Sequence, residues 1–200
     1  ELIVVDSGST DNTEEICISR GARFVHQDFL GYVEQKNYAN SLASYDYILS
    51  LDADEALSAV LEQSIQEVKK DWKHAAYSFN RLTNYCGRWI KHCGWYPDKK
   101  VRLFDRRKGR WEGVLIHESF VIDKAETAGH LEGDLYHYSY YSIEEHISQA
   151  NKFSSIGARE IFDGGRRPPF CKLLLSPVLK FIKDYFIKAG FLDGYYGYVI

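Results

Sequence analysis

The chain has 200 residues, of which 45% are hydrophobic and 26% are charged, and its formal net charge is −3. This length allows one sizeable domain with a hydrophobic core, or one domain with a small appendage. We expect no nucleic-acid partner, because such partners usually require an excess of basic residues and the sequence pI is about 6.2.

The first seventy residues alternate between predicted strands and predicted helices. Short apolar runs predict strands at residues 2–5, 23–26 and 47–51. Helical spacing predicts helices at residues 12–20 and 33–44 and from Ser58 onward. This alternation is typical of a parallel sheet covered by helices, so the sequence predicts an α/β fold.

The second half of the chain has a different pattern. Strands are predicted at residues 75–82, 100–104 and 114–122, as part of a mixed or antiparallel region, and a helix is predicted at residues 143–162. Residues 164–169, GGRRPP, have the composition of a linker. We therefore predict a main domain at residues 1–142 and a C-terminal region of amphipathic helices at residues 143–200.

The last predicted helix begins at Ser176, with Pro177 at the first helical position, where the missing N–H is harmless. No apolar run reaches the length of a membrane-spanning helix. Two interpretations remain open for its apolar stripe: the helix lies on a membrane surface, or it packs its stripe on the domain. The stripe consists of Leu174, Val178, Phe181, Ile182 and Tyr185, with Lys180, Lys183 and Asp184 opposite.

The cysteines and the chain ends suggest further properties. Four cysteines without a C-x-x-C pair predict free thiols in a reducing compartment. Zinc binding by Cys86, His92 and Cys93 is disfavoured because no second ligand pair matches them. An apolar run starts directly at the first residues and no Met is present, so we expect an internal fragment of a longer protein.

Acidic side chains follow two of the predicted strands. The segment VVDSGSTDNT follows the first strand, and LDADE at residues 51–55 follows the third. Ligands bind beyond the carboxyl ends of strands in open parallel sheets, and Asp52 and Asp54 would point to one side of an extended segment. Their mutual repulsion predicts a bound Mg²⁺ or Mn²⁺. The alternative is an exposed turn with helix-capping acids.

Together with QKNYA at residues 35–39, these segments resemble family 2 glycosyltransferases of the GT-A fold, in particular the bacterial branch of lipopolysaccharide core biosynthesis. The resemblance covers nearly the whole chain, apart from an opening strand that is absent. It implies a Rossmann-like mixed sheet with helices on both faces. It also implies a metal-dependent enzyme that binds a nucleotide sugar.

The resemblance implies roles for individual residues. It places Asp52, Asp54 and His137 at the metal, although a histidine among tyrosines is also often simply packed in place. The expected donor-binding residues are Asp6, Ser7, Ser9, Lys36, Asn37 and Asp52.

Three further predictions concern the reaction and its substrates. Glu118, in VLIHES, is expected to act as general base, and the alternative is a surface glutamate at a strand end. Arg102 is expected to pair with a donor phosphate. Trp89, Trp95 and Tyr96 form an aromatic loop that would cover the acceptor sugar, unless the loop folds into the core.

The sequence thus predicts an inverting hexosyltransferase that moves a sugar from a UDP-hexose to a glycan or lipid-linked acceptor, such as lipopolysaccharide core. Its expected location is the cytoplasm, with peripheral attachment to the inner face of the cytoplasmic membrane. One alternative is a sugar nucleotidyltransferase, which would need a glycine-rich triphosphate loop. The other is a non-catalytic glycan-binding or membrane-scaffold domain.

Overall fold

A computed structural model describes residues 1–113, 118–165 and 169–200, without the side chain of residue 173. The chain forms two compact units, each built from three separate segments. The first unit consists of residues 1–52, 63–79 and 100–131, and the second consists of residues 53–62, 80–99 and 132–200. The predicted division at residue 142 stays a prediction.

Helices and strands alternate along the first seventy residues, and strands dominate the middle of the chain. The strands are β1 (Ile3–Asp6), β2 (Arg23–His26), β3 (Tyr47–Leu49), β4 (Glu55–Leu57), β5 (Ala76–Tyr85), β6 (Arg88–Ile90), β7 (Asp98–Asp105), β8 (Gly109–Glu112), β9 (Ser119–Ile122) and β10 (Ala128–Tyr140). The α-helices are α1 (Thr13–Ser19), α2 (Tyr32–Leu42), α3 (Ala59–Val68), α4 (Ile143–Asp163), α5 (Phe170–Phe181) and α6 (Tyr195–Val199). A π-helical segment (Ile182–Ile187) and a 3₁₀-helix (Gly190–Asp193) separate α5 from α6.

In the first unit, β1 and β2 pair in parallel, with Ile3 opposite Arg23, as the strand–helix–strand pattern predicts. β3 instead pairs antiparallel with β7. The prediction of a parallel sheet is therefore wrong for β3, because pairing with a distant strand is not visible in local alternation. The predicted mixed α/β class is confirmed by these parallel and antiparallel pairs.

The second unit is built on antiparallel pairs. β4 pairs with β10, so that His137 lies opposite Glu55, and β6 pairs with β5. Strands β5, β7 and β10 each contain residues of both units.

Each unit has its own buried core. In the first unit, Phe104 and Phe120 stack with ring centroids 3.6 Å apart, and Trp111 meets both rings edge-on. Burial of aromatic side chains of this size contributes about 3–5 kcal/mol each, as judged by their truncation. In the second unit, Tyr85 and Leu135 are fully buried.

Two predicted segments, one strand and one linker, extend beyond the described residues. Residues 114–117 of the predicted strand 114–122 lie outside the described residues, and its remainder contains β9. Residues 166–168 of the predicted linker also lie outside them. β8, which the sequence pattern does not predict, pairs antiparallel with β9 and buries Trp111.

The C-terminal helices match one prediction and contradict another. α4 begins with a reciprocal capping box between Ser142 and Glu145, which confirms the predicted helix start. α5 begins at Phe170 after Pro169, not at Ser176, so Pro177 lies inside the helix. A proline inside a helix costs one backbone hydrogen bond, and α5 continues across that loss. No helix of the described ranges is both long and apolar enough to cross a membrane.

Candidate active site

The first acidic segment folds into a tight loop around Asp6. The Asp6 carboxylate accepts hydrogen bonds from the backbone N–H groups of Gly8 and Ser9, at 2.7 and 2.8 Å, and from the Ser9 hydroxyl at 2.5 Å. Gly8 has a φ of +103°, a conformation that favours glycine. The bond from the Ser9 hydroxyl and those from the backbone outweigh burial and lower the pKa of Asp6. Asp6 is therefore held ionised at the end of β1.

Two other predicted donor-binding residues make structural contacts next to this loop. The Ser7 hydroxyl accepts a hydrogen bond from Gln35 at 2.9 Å, which joins the loop to α2. The Asn37 amide bonds both the N–H and the C=O of Trp111, at 3.1 and 2.9 Å, and so joins α2 to β8. Their donor contacts stay predictions.

Lys36 lies between two predicted site residues of the first unit. Its ammonium nitrogen is 2.9 Å from an Asp52 oxygen and 3.1 Å from a Glu118 oxygen. The same nitrogen lies 4.6 Å from the centroid of the Trp111 ring. The Lys36 side chain is only 10% exposed, against 36% for Asp52 and 18% for Glu118. The structure therefore brings a predicted donor-binding acid and the predicted base together on one ammonium group.

Arg102 approaches Asp52 as well. It is buried, at 4% exposure, and its guanidinium lies 2.5 Å from the second Asp52 oxygen. Burial opposes ionisation of Asp52, but the charges of Arg102 and Lys36 outweigh burial and lower its pKa. Protein cations thus neutralise Asp52. The predicted roles of Asp52 at the metal and of Arg102 at a phosphate stay predictions.

Asp54 and His137 meet in the second unit. Their carboxylate oxygen and Nε2 are 3.1 Å apart, and the backbone N–H of Tyr138 donates to the Asp54 carbonyl at 2.9 Å. The antiparallel register of β10 with β4 produces this contact. The Nδ1 atom of His137 lies 3.4 Å from the Thr83 hydroxyl, an arrangement that directs Nε2 toward Asp54.

The third acid of LDADE, Glu55, has a basic neighbour that the sequence pattern does not reveal. The Glu55 side chain is fully buried, and Arg81 on β5 lies 3.7 Å from it. Arg81 also bonds Asp98 at 2.8 Å. No local pattern marks Arg81 as a partner of Glu55, because the two residues are 26 positions apart in sequence. Charged side chains of the protein thus offset much of the repulsion from which the sequence predicted a cation.

The donor groups of Asp54 and His137 fit a divalent metal ion in part. A carboxylate oxygen and an imidazole nitrogen suit Mn²⁺, and such ions commonly complete their shell with substrate phosphates and water. Among the described residues, no three His, Cys, Asp or Glu side chains gather into a metal site. A metal here would therefore depend on the substrate for further ligands.

The predicted acceptor residues pack within the second unit. Trp89 contacts the rings of Tyr136 and Tyr138, with centroids 4.7 and 5.4 Å away. Trp95 lies 5.9 Å from the Tyr85 ring. These contacts agree with the alternative of a loop folded against the core, but both tryptophans remain partly exposed.

Tyr96 uses its hydroxyl within the second unit too. It donates to Asp134 at 2.9 Å, and burial, followed by the bond to Asp134, raises the pKa of Tyr96. Its role toward an acceptor stays a prediction.

The chain is similar to known glycosyltransferases. The model of the family "Glycosyl transferase family 2" matches residues 1–125. An uncharacterized glycosyltransferase of Rickettsia typhi is 32% identical over 209 aligned residues, which cover 100% of this chain and 72% of the relative. The lipopolysaccharide core biosynthesis glycosyltransferase LpsC of Rhizobium meliloti is 28% identical over 216 residues, covering 100% of this chain and 76% of LpsC.

The chain therefore belongs to glycosyltransferase family 2. This confirms the family inferred from the three sequence segments, and with it an enzyme that transfers a sugar. The alternatives of a sugar nucleotidyltransferase and of a non-catalytic domain are set aside.

Proposed function

We propose that the enzyme transfers a hexose from a UDP-hexose to a glycan or lipid-linked acceptor, such as lipopolysaccharide core, with inversion at the anomeric carbon. The relative LpsC, whose name places it in lipopolysaccharide core biosynthesis, supports this acceptor class. One observation carries the proposal: Lys36 joins Asp52, a predicted donor-binding acid, to Glu118, the predicted base.

In the proposed reaction, the acceptor hydroxyl oxygen attacks the anomeric carbon as the bond from that carbon to the diphosphate breaks. Glu118 takes the hydroxyl proton, and attack from the face opposite the diphosphate inverts the centre. The Lys36 ammonium can bind a phosphate as well as a carboxylate. Donor binding would then compete with Glu118 for Lys36 and release the base for the acceptor.

We also propose a divalent cation, Mg²⁺ or Mn²⁺, held by Asp54 and His137. When bound, such an ion would neutralise charge on the departing diphosphate. A lipid-linked acceptor would place the enzyme at the inner surface of the cytoplasmic membrane, as a peripheral protein.

The test of the base measures UDP release with a panel of UDP-sugars and a lipopolysaccharide-core acceptor. Glu118→Gln keeps the size of the side chain and should lower kcat by about 10²–10⁴-fold, because general-base catalysis contributes that much. Glu112→Gln, on the neighbouring strand β8 and 43% exposed, is the matched control and should stay near wild type. Equal activity of the two variants would contradict the role of Glu118.

The test of the metal measures UDP binding by calorimetry with and without Mn²⁺. Asp54→Ala should abolish the increase in affinity that Mn²⁺ gives. Asp71→Ala, a 69% exposed acid that pairs with Lys73, should retain that increase. UDP binding that is equally tight with Mn²⁺ and with a chelator would refute the cation.

A further inference from the structure

The C-terminal part of the second unit exposes large hydrophobic side chains. On α5, Leu174, Val178 and Leu179 are 59%, 56% and 60% exposed. On the π-helical segment that follows, Phe186 and Ile187 are 57% and 76% exposed. Exposed apolar side chains of this size on consecutive helical segments commonly mark a contact with another molecule or with a membrane.

One charged residue of the π-helical segment, Asp184, is buried. Asp184 is 8% exposed and pairs with Lys180 and Lys188, the latter at 3.1 Å. The Lys188 carbonyl accepts a hydrogen bond from the backbone of Cys93 at 3.2 Å, so the end of this segment contacts the body of the second unit. Asp193, 5% exposed, accepts from the backbone N–H of His92 at 2.8 Å.

Every described side chain of α5 is exposed, on its charged face as well as on its apolar face. On α5, Lys172, Ser176 and Lys180 recur every four residues and share one face, which continues to Asp184. Leu174 and Val178 lie on the other face. Of the predicted stripe, Leu174, Val178, Phe181 and Ile182 are exposed, so the second interpretation, that the stripe packs on the domain, is wrong for these four residues. Tyr185 is partly buried.

Charge favours one occupant for the apolar face. Residues 166–200 contain six basic and two acidic residues, a net charge of +4, although the chain as a whole carries −3. A second copy of the chain would bring the same positive charge to a shared contact, which opposes self-association. A bilayer with anionic headgroups offers the opposite charge and an apolar layer below it.

We propose that the apolar face of α5 and of the π-helical segment lies on a bilayer that contains anionic lipids, with the helix axis in the plane of the interface. Apolar side chains enter the boundary between headgroups and acyl chains, and exposed Lys172 and Lys183 extend to the phosphates. This deepens the proposed peripheral location and rests on it. Lipid binding itself needs neither donor nor acceptor.

The test sediments the whole chain with vesicles of phosphatidylcholine, with or without phosphatidylglycerol. Binding should require phosphatidylglycerol and should weaken with added salt. Leu174→Asp and Phe186→Asp should each lower the affinity by about tenfold or more, because each removes buried apolar area from the interface. The matched control is Ile18→Asp on α1, where the side chain is 57% exposed, and its affinity should stay unchanged.

Circular dichroism should show the same helix content for all three variants, because each changes an exposed side chain. The proposal is overturned if wild type does not sediment with anionic vesicles, or if Ile18→Asp weakens binding as much as Leu174→Asp. A dimer in sedimentation velocity that Leu174→Asp dissociates, without vesicle binding, would assign the face to a second copy. Vesicle binding without UDP release would refute only the transferase proposal, and UDP release without vesicle binding would refute only this one.

Discussion

Lys36 allows the electrostatics of the first unit to be tested apart from catalysis. Lys36→Met keeps an apolar stem over the Trp111 ring but removes the charge that lies 2.9 Å from Asp52 and 3.1 Å from Glu118. Removing one partner of a fully buried pair costs about 3–5 kcal/mol, whereas an exposed pair contributes about 0–1 kcal/mol.

The expected loss lies between these limits. Asp52 is 36% exposed and keeps its contact with Arg102, so the loss of its pair with Lys36 should cost about as much as the loss of an exposed pair. Glu118 is 18% exposed and loses a close cation, so the loss of its pair with Lys36 should cost more. We expect a loss of about 2 kcal/mol in the free energy of unfolding, or roughly 4–8 °C in thermal midpoint for a chain of this length.

Thermal denaturation followed by circular dichroism measures this shift. The control is Lys73→Met, which removes a 2.8 Å pair with Asp71 in which both side chains are about 68% exposed, and it should leave the midpoint unchanged. In a Glu118→Gln background, Lys36→Met should cost about 1 kcal/mol less, since the carboxylate is already neutral. Equal midpoints for Lys36→Met and wild type would refute the electrostatic reasoning.

Three other perturbations test the fold. Gly133→Ala should lower the free energy of unfolding, measured by urea denaturation, by about 1–3 kcal/mol, because φ is +97° and a Cβ would lie 2.3 Å from the Leu61 backbone nitrogen. The control is Gly87→Ala, at φ +85° with no atom within 4 Å of its Cβ position, which should lower it less. Arg81→Met should lower the urea midpoint clearly, because it leaves buried Glu55 without this cation. The free energy of unfolding should fall as the pH drops from about 5, because a carboxyl group with a lowered pKa binds fewer protons in the folded chain than in the unfolded one. Unchanged thermal midpoints between pH 5 and pH 3 would contradict this prediction. The carboxyl groups concerned are those of Asp6, Asp52, Asp105 and Asp184.

Local sequence patterns predicted the bounds of β2 and α4 well. β2 was predicted at residues 23–26 and lies at Arg23–His26, and α4 was predicted one residue short of its end at Asp163. These segments have strong apolar periodicity or a clear cap, which do not depend on distant residues. β8 was missed because its sequence, GRWE, has little strand character and depends on pairing with β9.

In the candidate site too, local patterns were predictable and contacts between distant residues were not. The acidic segments were recognisable because closely spaced carboxylates are unusual after an apolar run. Their partners were not, because Lys36, Arg81 and Arg102 are distant in sequence from the acids that they contact. The exposure of the apolar stripe of α5 was also not predictable, since periodicity alone does not say whether a helix face is buried.

The repeated passage of the chain between its two units limits what a truncated protein can retain. A nonsense mutation after residue 142 would spare the first unit but leave the second with residues 53–62, 80–99 and 132–142 only. Asp54 and His137 belong to that second unit, together with the C-terminal helices. Loss of the tail would therefore remove support from β10, which carries His137, and from the turn that carries Asp54, even though neither residue is deleted.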